Sequence, residues 1–158
     1  MSKSYFSALL GVALLVLIPA VSHAAGGSVT GKFVGNGQEA KLAYAKAMKG
    51  DPWEGKPTTV IVLSEKEMTA GSSPDFDAGF GKFGSALVVT VDSQNDIIST
   101  QIYHTAHKKK GFSSVGRMKL EGYKVEGGMV SGKLTTNGEQ DFFDDKWLVD
   151  LSFQAPMQ

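Results

Sequence analysis

The residues best suited to chemistry lie together in one polar run, His104-Thr-Ala-His-Lys-Lys-Lys110. Two histidines three positions apart can share a metal ion if the segment coils into a helical turn. If the segment stays extended, their side chains point to opposite faces, and His104 then points toward the core. A metal site needs a third ligand, and the sequence marks none. We therefore assign no metal and no cofactor, and keep a metal-binding or metal-dependent role centred on His104 and His107 as the alternative function.

The three lysines of this run, Lys108, Lys109 and Lys110, are the densest positive charge in the chain. They suit a basic loop that binds an anionic group, because strands can present a loop rigidly to a ligand. They also suit a charged strand end that prevents edge-to-edge pairing of sheets. The predicted ligand-binding residues are therefore His104, His107, Lys108, Lys109 and Lys110.

Other catalytic patterns are weak. The chain has no cysteine and no G-x-S-x-G segment, and no third group is identifiable to orient Ser113 or Ser114 with His107. The segment Gly79–Gly84 matches G-x-G-x-x-G, but helix-like sequence precedes it and a strand follows, the reverse of a dinucleotide site. Asp144-Asp145 is interpreted as a solvated turn. The sequence predicts no catalytic residue, and we expect the protein not to be an enzyme.

The polar run follows a predicted hairpin with arms at 85–92 and 97–104, which we expect to be central in the fold. In the first arm Leu87, Val89 and Val91 share one side and Ala86 and Val88 the other, so both faces should be covered. In the second arm Ile98 and Ile102 should face the core, with Ser99 and Gln101 on the opposite side.

Short alternating segments with turn signals between them fill most of the remaining chain. Strands are predicted at 28–34, 41–48, 58–63, 118–125, 129–134 and 146–154, the last with Trp147 facing the core. The strand at 41–48 should place Leu42, Tyr44 and Met48 on one side; a helix is the alternative for this segment, because its three alanines favour helices. About eight strands indicate an all-β fold, an antiparallel β-sandwich with a barrel as second choice.

One short helical insertion is expected after Ser73, with Pro74 at the first helical position. Its phenylalanines Phe76, Phe80 and Phe83 recur at helical spacing, which favours a buried stripe or a plug at the end of a sheet. A single helical turn is also predicted from Ser64, where a capping-box pattern occurs.

The first residues predict export. Lys3 precedes an apolar run that ends at Pro19, and Ser22-His-Ala24 provides the small residues of a cleavage point. We expect cleavage of residues 1–24, one β-sandwich domain at 25–158, a periplasmic location and no membrane anchor after cleavage. The chain has 16 basic and 16 acidic residues, a balance that argues against a nucleic-acid partner.

Four features together resemble a family of small exported bacterial all-β proteins with no assigned function. They are the predicted signal peptide, Gly31-Lys-Phe-Val-Gly-Asn-Gly37, the His–Lys run and the ending of the chain from Val130. The resemblance implies export and an all-β fold and names no catalytic residue. The predicted function is that of a non-enzymatic exported binding domain whose partner is an anionic small molecule, a glycan or a protein.

Overall fold

The fold is seen in a computed structural model that describes residues 27–69 and 73–158, so the predicted signal peptide at 1–24 lies outside the described residues. Within them are ten strands and one helix, α1 (Pro74–Gly79). The strands are β1 (Ser28–Gly35), β2 (Gln38–Ala40), β3 (Tyr44–Trp53), β4 (Lys56–Ser64), β5 (Ala86–Val91), β6 (Ile97–Tyr103), β7 (Lys119–Glu126), β8 (Met129–Thr135), β9 (Gln140–Phe142) and β10 (Asp145–Pro156).

The strands form two antiparallel sheets. The first has the order β2-β1-β10-β8-β7, with β9 paired to one end of β10, and the second has the order β3-β4-β5-β6. The predicted all-β sandwich is confirmed, and the two sheets do not close into a barrel. The strand count exceeds the predicted eight because β2 and β9 are only three residues long, too short to stand out in the sequence.

The long strand β10 organises the first sheet, because it pairs with β1 along one side and with β8 and β9 along the other. Every second residue from Asp145 to Ala155 is buried, as the pleat of a strand with one covered face requires. Trp147 is 1% exposed, which confirms its predicted place in the core. Opposite it, the second sheet contributes aliphatic residues that include Ile61, Leu63, Leu87 and Val89.

The hairpin of β5 and β6 is not central, contrary to expectation, because β6 is an edge strand. The prediction that both faces of β5 are covered is confirmed: Leu87 lies in the core between the sheets, and Val88 in a second apolar cluster on the outer face. A register shift between Thr90 and Val91 rotates the start of β6, so Ile97 rather than Ile98 packs against the core. Farther along β6, Ile102 is buried as predicted.

The predicted grouping of side chains holds for Tyr44 and Met48, which share one side of β3, whereas Leu42 lies before the strand and is buried in the core. Ala45 and Ala47 are buried against the first sheet, and Tyr44 and Met48 lie on the opposite side, with Tyr44 exposed. The strand also begins later and continues to Trp53, which pairs with Lys56 across a two-residue turn. The small alanines therefore form the core side of the strand, and the larger Tyr44 and Met48 lie on its outer side.

The helix α1 begins with Pro74 in its first turn, as predicted, but it ends at Gly79. Pro74 and Ala78, one helical turn apart, are both buried, and Ala78 packs in the apolar cluster on the outer face of the second sheet. Phe83 is also buried, whereas Phe76 is 62% and Phe80 68% exposed. The predicted stripe is therefore wrong for these two phenylalanines, since the helix stops before the spacing can place all three on one face. No helix forms at 64–67, where the chain bends instead.

Candidate functional site

The polar run forms a turn beyond the last residue of β6. His107 donates its backbone N–H to the carbonyl oxygen of His104 at 3.0 Å, which closes the turn. Both histidines are buried, and their ring centroids lie 5.1 Å apart. The turn therefore brings the two predicted histidines together. His104 points into the protein, an orientation that the sequence predicted for an extended segment.

Hydrogen bonds define which ring nitrogen of each histidine carries the proton. Ala106 donates its backbone N–H to His104 Nδ1 at 3.1 Å, so Nδ1 is the acceptor and the proton of the neutral ring lies on Nε2. His107 Nε2 lies 3.2 Å from the carbonyl oxygen of Lys146 and is the donor there. Within 27–69 and 73–158, no partner reaches hydrogen-bond geometry with His104 Nε2 or His107 Nδ1, although the backbone carbonyls of Phe33 and Gln38 lie close enough to the His104 ring to act on its pKa.

Burial keeps both imidazoles neutral. It lowers the pKa of His104 below the ordinary value of 6.5, and the neighbouring His107 lowers it further. Burial likewise lowers the pKa of His107, an effect that the carbonyl of Lys146 and the carboxylate of Asp145 partly offset. Charging either ring would place a cation among apolar and aromatic groups.

The surrounding packing leaves little space. The Phe33 ring meets the His104 ring edge-on at 4.8 Å between centroids, and the Phe112 ring lies 5.4 Å from that of His107. A Cβ atom on Gly35 would lie 2.5 Å from the His104 ring and 2.7 Å from His107 Nε2. Only glycine at position 35 therefore lets β1 approach the two rings this closely.

A buried carboxylate fixes the backbone of the lysine loop, the segment from His107 to Lys110. Asp145 is 0% exposed, and its two oxygens accept the backbone N–H groups of Lys108 at 2.8 Å and of Lys109 at 2.9 Å. Burial acts to raise the pKa of Asp145, but these two bonds and one from the side chain of Asn36 outweigh it and hold the pKa at about 2. The interpretation of Asp145 as part of a solvated turn is wrong.

Asn36 joins three segments at this point. Its Nδ2 donates to the carboxylate of Asp145 at 2.8 Å and to the carbonyl oxygen of Ala106 at 3.0 Å, and its Oδ1 accepts the backbone N–H of Lys146 at 2.8 Å. Its φ of 48° lies in the left-handed region, which asparagine tolerates better than most residues. The turn after β1, the lysine loop and the start of β10 are thereby held together.

The lysines themselves face solvent. Lys108, Lys109 and Lys110 are exposed, and none of them forms an ion pair with any described residue. Lys109 Nζ lies 5.3 Å from the ring centroid of Phe143, which is 80% exposed. The loop therefore presents three uncompensated positive charges beside an exposed phenyl ring.

The contacts of His104, His107 and Asp145 limit which of their atoms can bind a metal ion. Among the residues that the structure describes, no group of three histidine, cysteine, aspartate or glutamate residues is placed to hold a metal ion. Asp145 is the nearest anionic partner of His107, but its oxygens are used by backbone amides. His104 Nε2 carries the ring proton and offers no lone pair while Ala106 donates to Nδ1.

The sequence did not lead us to predict two residues of the site, Asn36 and Asp145. Asp145 has the same strand parity as Trp147 and Val149, and this was the signal for its burial. For Asn36 no such signal exists, since G-N-G is typical of any turn.

Comparison with known proteins adds no assignment: no family model, no curated protein and no solved structure matches this chain. The resemblance to a family of small exported all-β proteins stays a prediction. In the described part of the chain, no helix is long and apolar enough to span a bilayer.

Proposed function

We propose that this protein is a non-enzymatic exported binding domain that recognises an anionic partner through the lysine loop. The partner is a small molecule, a glycan or a protein surface with negative charge. One observation carries the proposal: a buried carboxylate, Asp145, fixes the backbone of a loop whose three lysine side chains are exposed and form no ion pair with the residues that the structure describes.

The direction of the Asp145 hydrogen bonds matters here. The carboxylate accepts from the backbone amides of Lys108 and Lys109, not from their ammonium groups. It therefore orders the loop without pairing with the lysine side chains. A loop that is already ordered loses less conformational entropy when it binds, which favours affinity.

Phe143 supports an interaction surface at the same place. It is 80% exposed beside Lys109 and has a φ of 54°, an uncommon backbone conformation for a bulky residue. Aromatic residues are enriched in binding surfaces, where they supply apolar contact area. We infer that Phe143 contacts the apolar part of the partner while the lysines contact its charge.

Chromatography on two immobilised polyanions, heparin and polyglutamate, tests the proposal. The loop variant replaces Lys108, Lys109 and Lys110 with glutamine, and the control replaces Lys32, Lys41 and Lys49, exposed lysines on or near other strands. Both variants have the same net charge. We expect the loop variant to elute at clearly lower salt than the control on at least one column. Equal elution of the two variants on both columns would show that only net charge matters.

Export is a separate part of the proposal and has its own test. The expected mature protein begins at Ala25, after removal of residues 1–24, and is periplasmic. Intact-mass measurement on protein from a periplasmic extract should give the mass of 25–158. A mass that includes the first 24 residues would contradict this.

The metal alternative has one observation in its favour, the approach of the His104 and His107 rings to 5.1 Å. The proton on His104 Nε2 and the internal use of Asp145 weigh against it. Elemental analysis of the purified protein decides between the two functions. A stoichiometric transition metal that is lost in a His107→Gln variant would replace the binding proposal with the alternative.

A further inference from the structure

The residues at 27–69 and 73–158 cover only part of the outer face of the second sheet. The helix α1 and the chain after it pack on one part, where Val62, Ala86 and Phe83 form an apolar cluster. Beyond the helix, two adjoining depressions remain open, one of about 170 Å³ and one of about 450 Å³. Both are lined by Gly79, Val88 and Gln101, so they are continuous. We call the combined depression the trough.

One side of the trough is apolar. Val60 and Val88 lie on its floor, and Phe76 and Phe80 stand along its rim with ring centroids 4.6 Å apart. These two phenyl rings are among the most exposed apolar side chains in the described part of the protein. Exposed apolar surface next to a concave site is typical of ligand binding.

The two ends of the trough differ in charge. Lys110, Tyr103 and Ser113 line the smaller depression, and Asp75 lines the larger one. Lys110 is exposed and makes no ion pair with any residue in 27–69 or 73–158. An anionic group is therefore attracted to the Lys110 end and repelled from the Asp75 end.

We propose that the trough binds a single-chain anionic amphiphile, with the negatively charged headgroup beside Lys110 and the alkyl chain over Val88 toward Val60, beneath Phe76 and Phe80. The size of the larger depression lies within the usual range of small-ligand sites, about 300–1,000 Å³. The inference depends on the proposed function only because Lys110 belongs both to the trough and to the lysine loop.

Titration calorimetry with sodium decanoate below its micellar concentration tests the inference. We expect saturable binding of one decanoate per chain. Acetate has the same headgroup without the chain, and n-decyl maltoside has the chain without the charge, so both should bind much more weakly. A double variant, Phe76→Ser with Phe80→Ser, should lower the affinity about tenfold or more, since it removes apolar contact area.

Two controls lie outside both the trough and the lysine loop. Trp53→Ser removes an exposed aromatic side chain that does not line the trough, and Lys49→Gln removes an exposed positive charge on β3. Neither should change decanoate affinity, whereas Lys110→Gln should weaken it several-fold. All five substituted side chains are exposed, so the variants should fold.

Three results would overturn the inference. They are the absence of saturable decanoate binding, an unchanged affinity in the double phenylalanine variant, and equally tight binding of n-decyl maltoside. Binding only to vesicles that contain phosphatidylglycerol, without binding of free decanoate, would indicate a membrane surface instead and would also overturn it. A variant with Lys108→Gln and Lys109→Gln should lose retention on polyanion columns while it keeps decanoate affinity, so the two proposals fail separately.

Discussion

Asn36 donates a 2.8 Å hydrogen bond from its side-chain amide to the carboxylate of Asp145, although the two residues lie 109 positions apart in the sequence. This contact joins the turn after β1 to the first residue of β10. Because the same carboxylate holds the amides of Lys108 and Lys109, the contact also determines where the lysine loop lies. The exposed lysines thus depend on a buried network for their position.

Replacing Asp145 with asparagine should destabilise the fold. The amide retains one oxygen but places an NH2 group against backbone donors, so at least one hydrogen bond to a charged acceptor is lost. We expect a decrease of about 1.5–3 kcal/mol in the free energy of unfolding, measured by urea denaturation. Asp144→Asn is the control, because Asp144 is exposed, and it should change stability little. Equal effects of the two substitutions would contradict the role given to Asp145.

Stability should decrease as the pH falls below about 6.5, because both histidines are buried and neutral. Their pKa values are lowered in the folded protein, so in this range the unfolded chain takes up protons that the folded chain does not. Urea midpoints at about pH 7.5 and pH 5 measure the loss. It should be smaller in a His107→Gln variant, in which one of the two groups is absent.

The charged groups nearest to this pair, Glu65 and Asp145, act to raise the two histidine pKa values, but burial outweighs them. Asp145 itself adds a separate loss at lower pH. Its pKa is lowered to about 2, so its contribution to stability disappears as the pH falls from about 4 toward 2. If the stability of a His107→Gln variant falls between pH 7.5 and pH 5 by as much as that of the original protein, then other groups cause the decrease.

Gly35→Ala should destabilise the protein by overpacking. Its Cβ would lie 2.5 Å from the His104 ring, a distance that requires a shift of the ring or of β1. We expect a loss of about 1–3 kcal/mol. In a His104→Ala background the same substitution should cost less, and a double-mutant cycle measures this coupling. Additive effects would indicate that the ring is not the obstacle.

Trp147→Ala should cost about 3–5 kcal/mol, since this residue is 1% exposed at the centre of the core. Trp53→Ala is the matched control. Trp53 is 54% exposed at the end of β3, and its removal should change the free energy of unfolding by no more than about 0.5 kcal/mol. An unchanged denaturation midpoint for Trp147→Ala would contradict the assignment of its face.

The sequence predicted an element correctly where its pattern of apolar and polar residues was long, and less well where the pattern was short. The alternation across β10 is long enough to define a strand and its buried face, so the core position of Trp147 was predicted correctly. The helix α1 is too short for its spacing to be informative, and Phe76 and Phe80 were placed wrongly. In β3 the alternation grouped Tyr44 with Met48 correctly but did not show that the alanines on the other side face the core.

The candidate site was predicted only in its local part. His104, His107 and the three lysines are adjacent in sequence, so their residue types identified them. Asn36 and Asp145 reach the loop only because β1 pairs with β10, and a single sequence does not state which strands pair. The contact of Asp145 with the loop could therefore be recognised only once the order of the strands in the sheet was known.

The affinity of the Asp145→Asn variant for a heparin oligosaccharide tests the central claim most directly. The substitution removes a negative charge, so net charge alone predicts tighter binding to a polyanion. We expect weaker binding, because the amide keeps only one of the two oxygens that accept the backbone N–H groups of Lys108 and Lys109, and the loop is held less firmly. Asp144→Asn makes the same charge change without touching the loop and should bind at least as tightly as the original protein. If Asp145→Asn binds as tightly as Asp144→Asn while both remain folded, the ordered lysine loop is not the binding determinant.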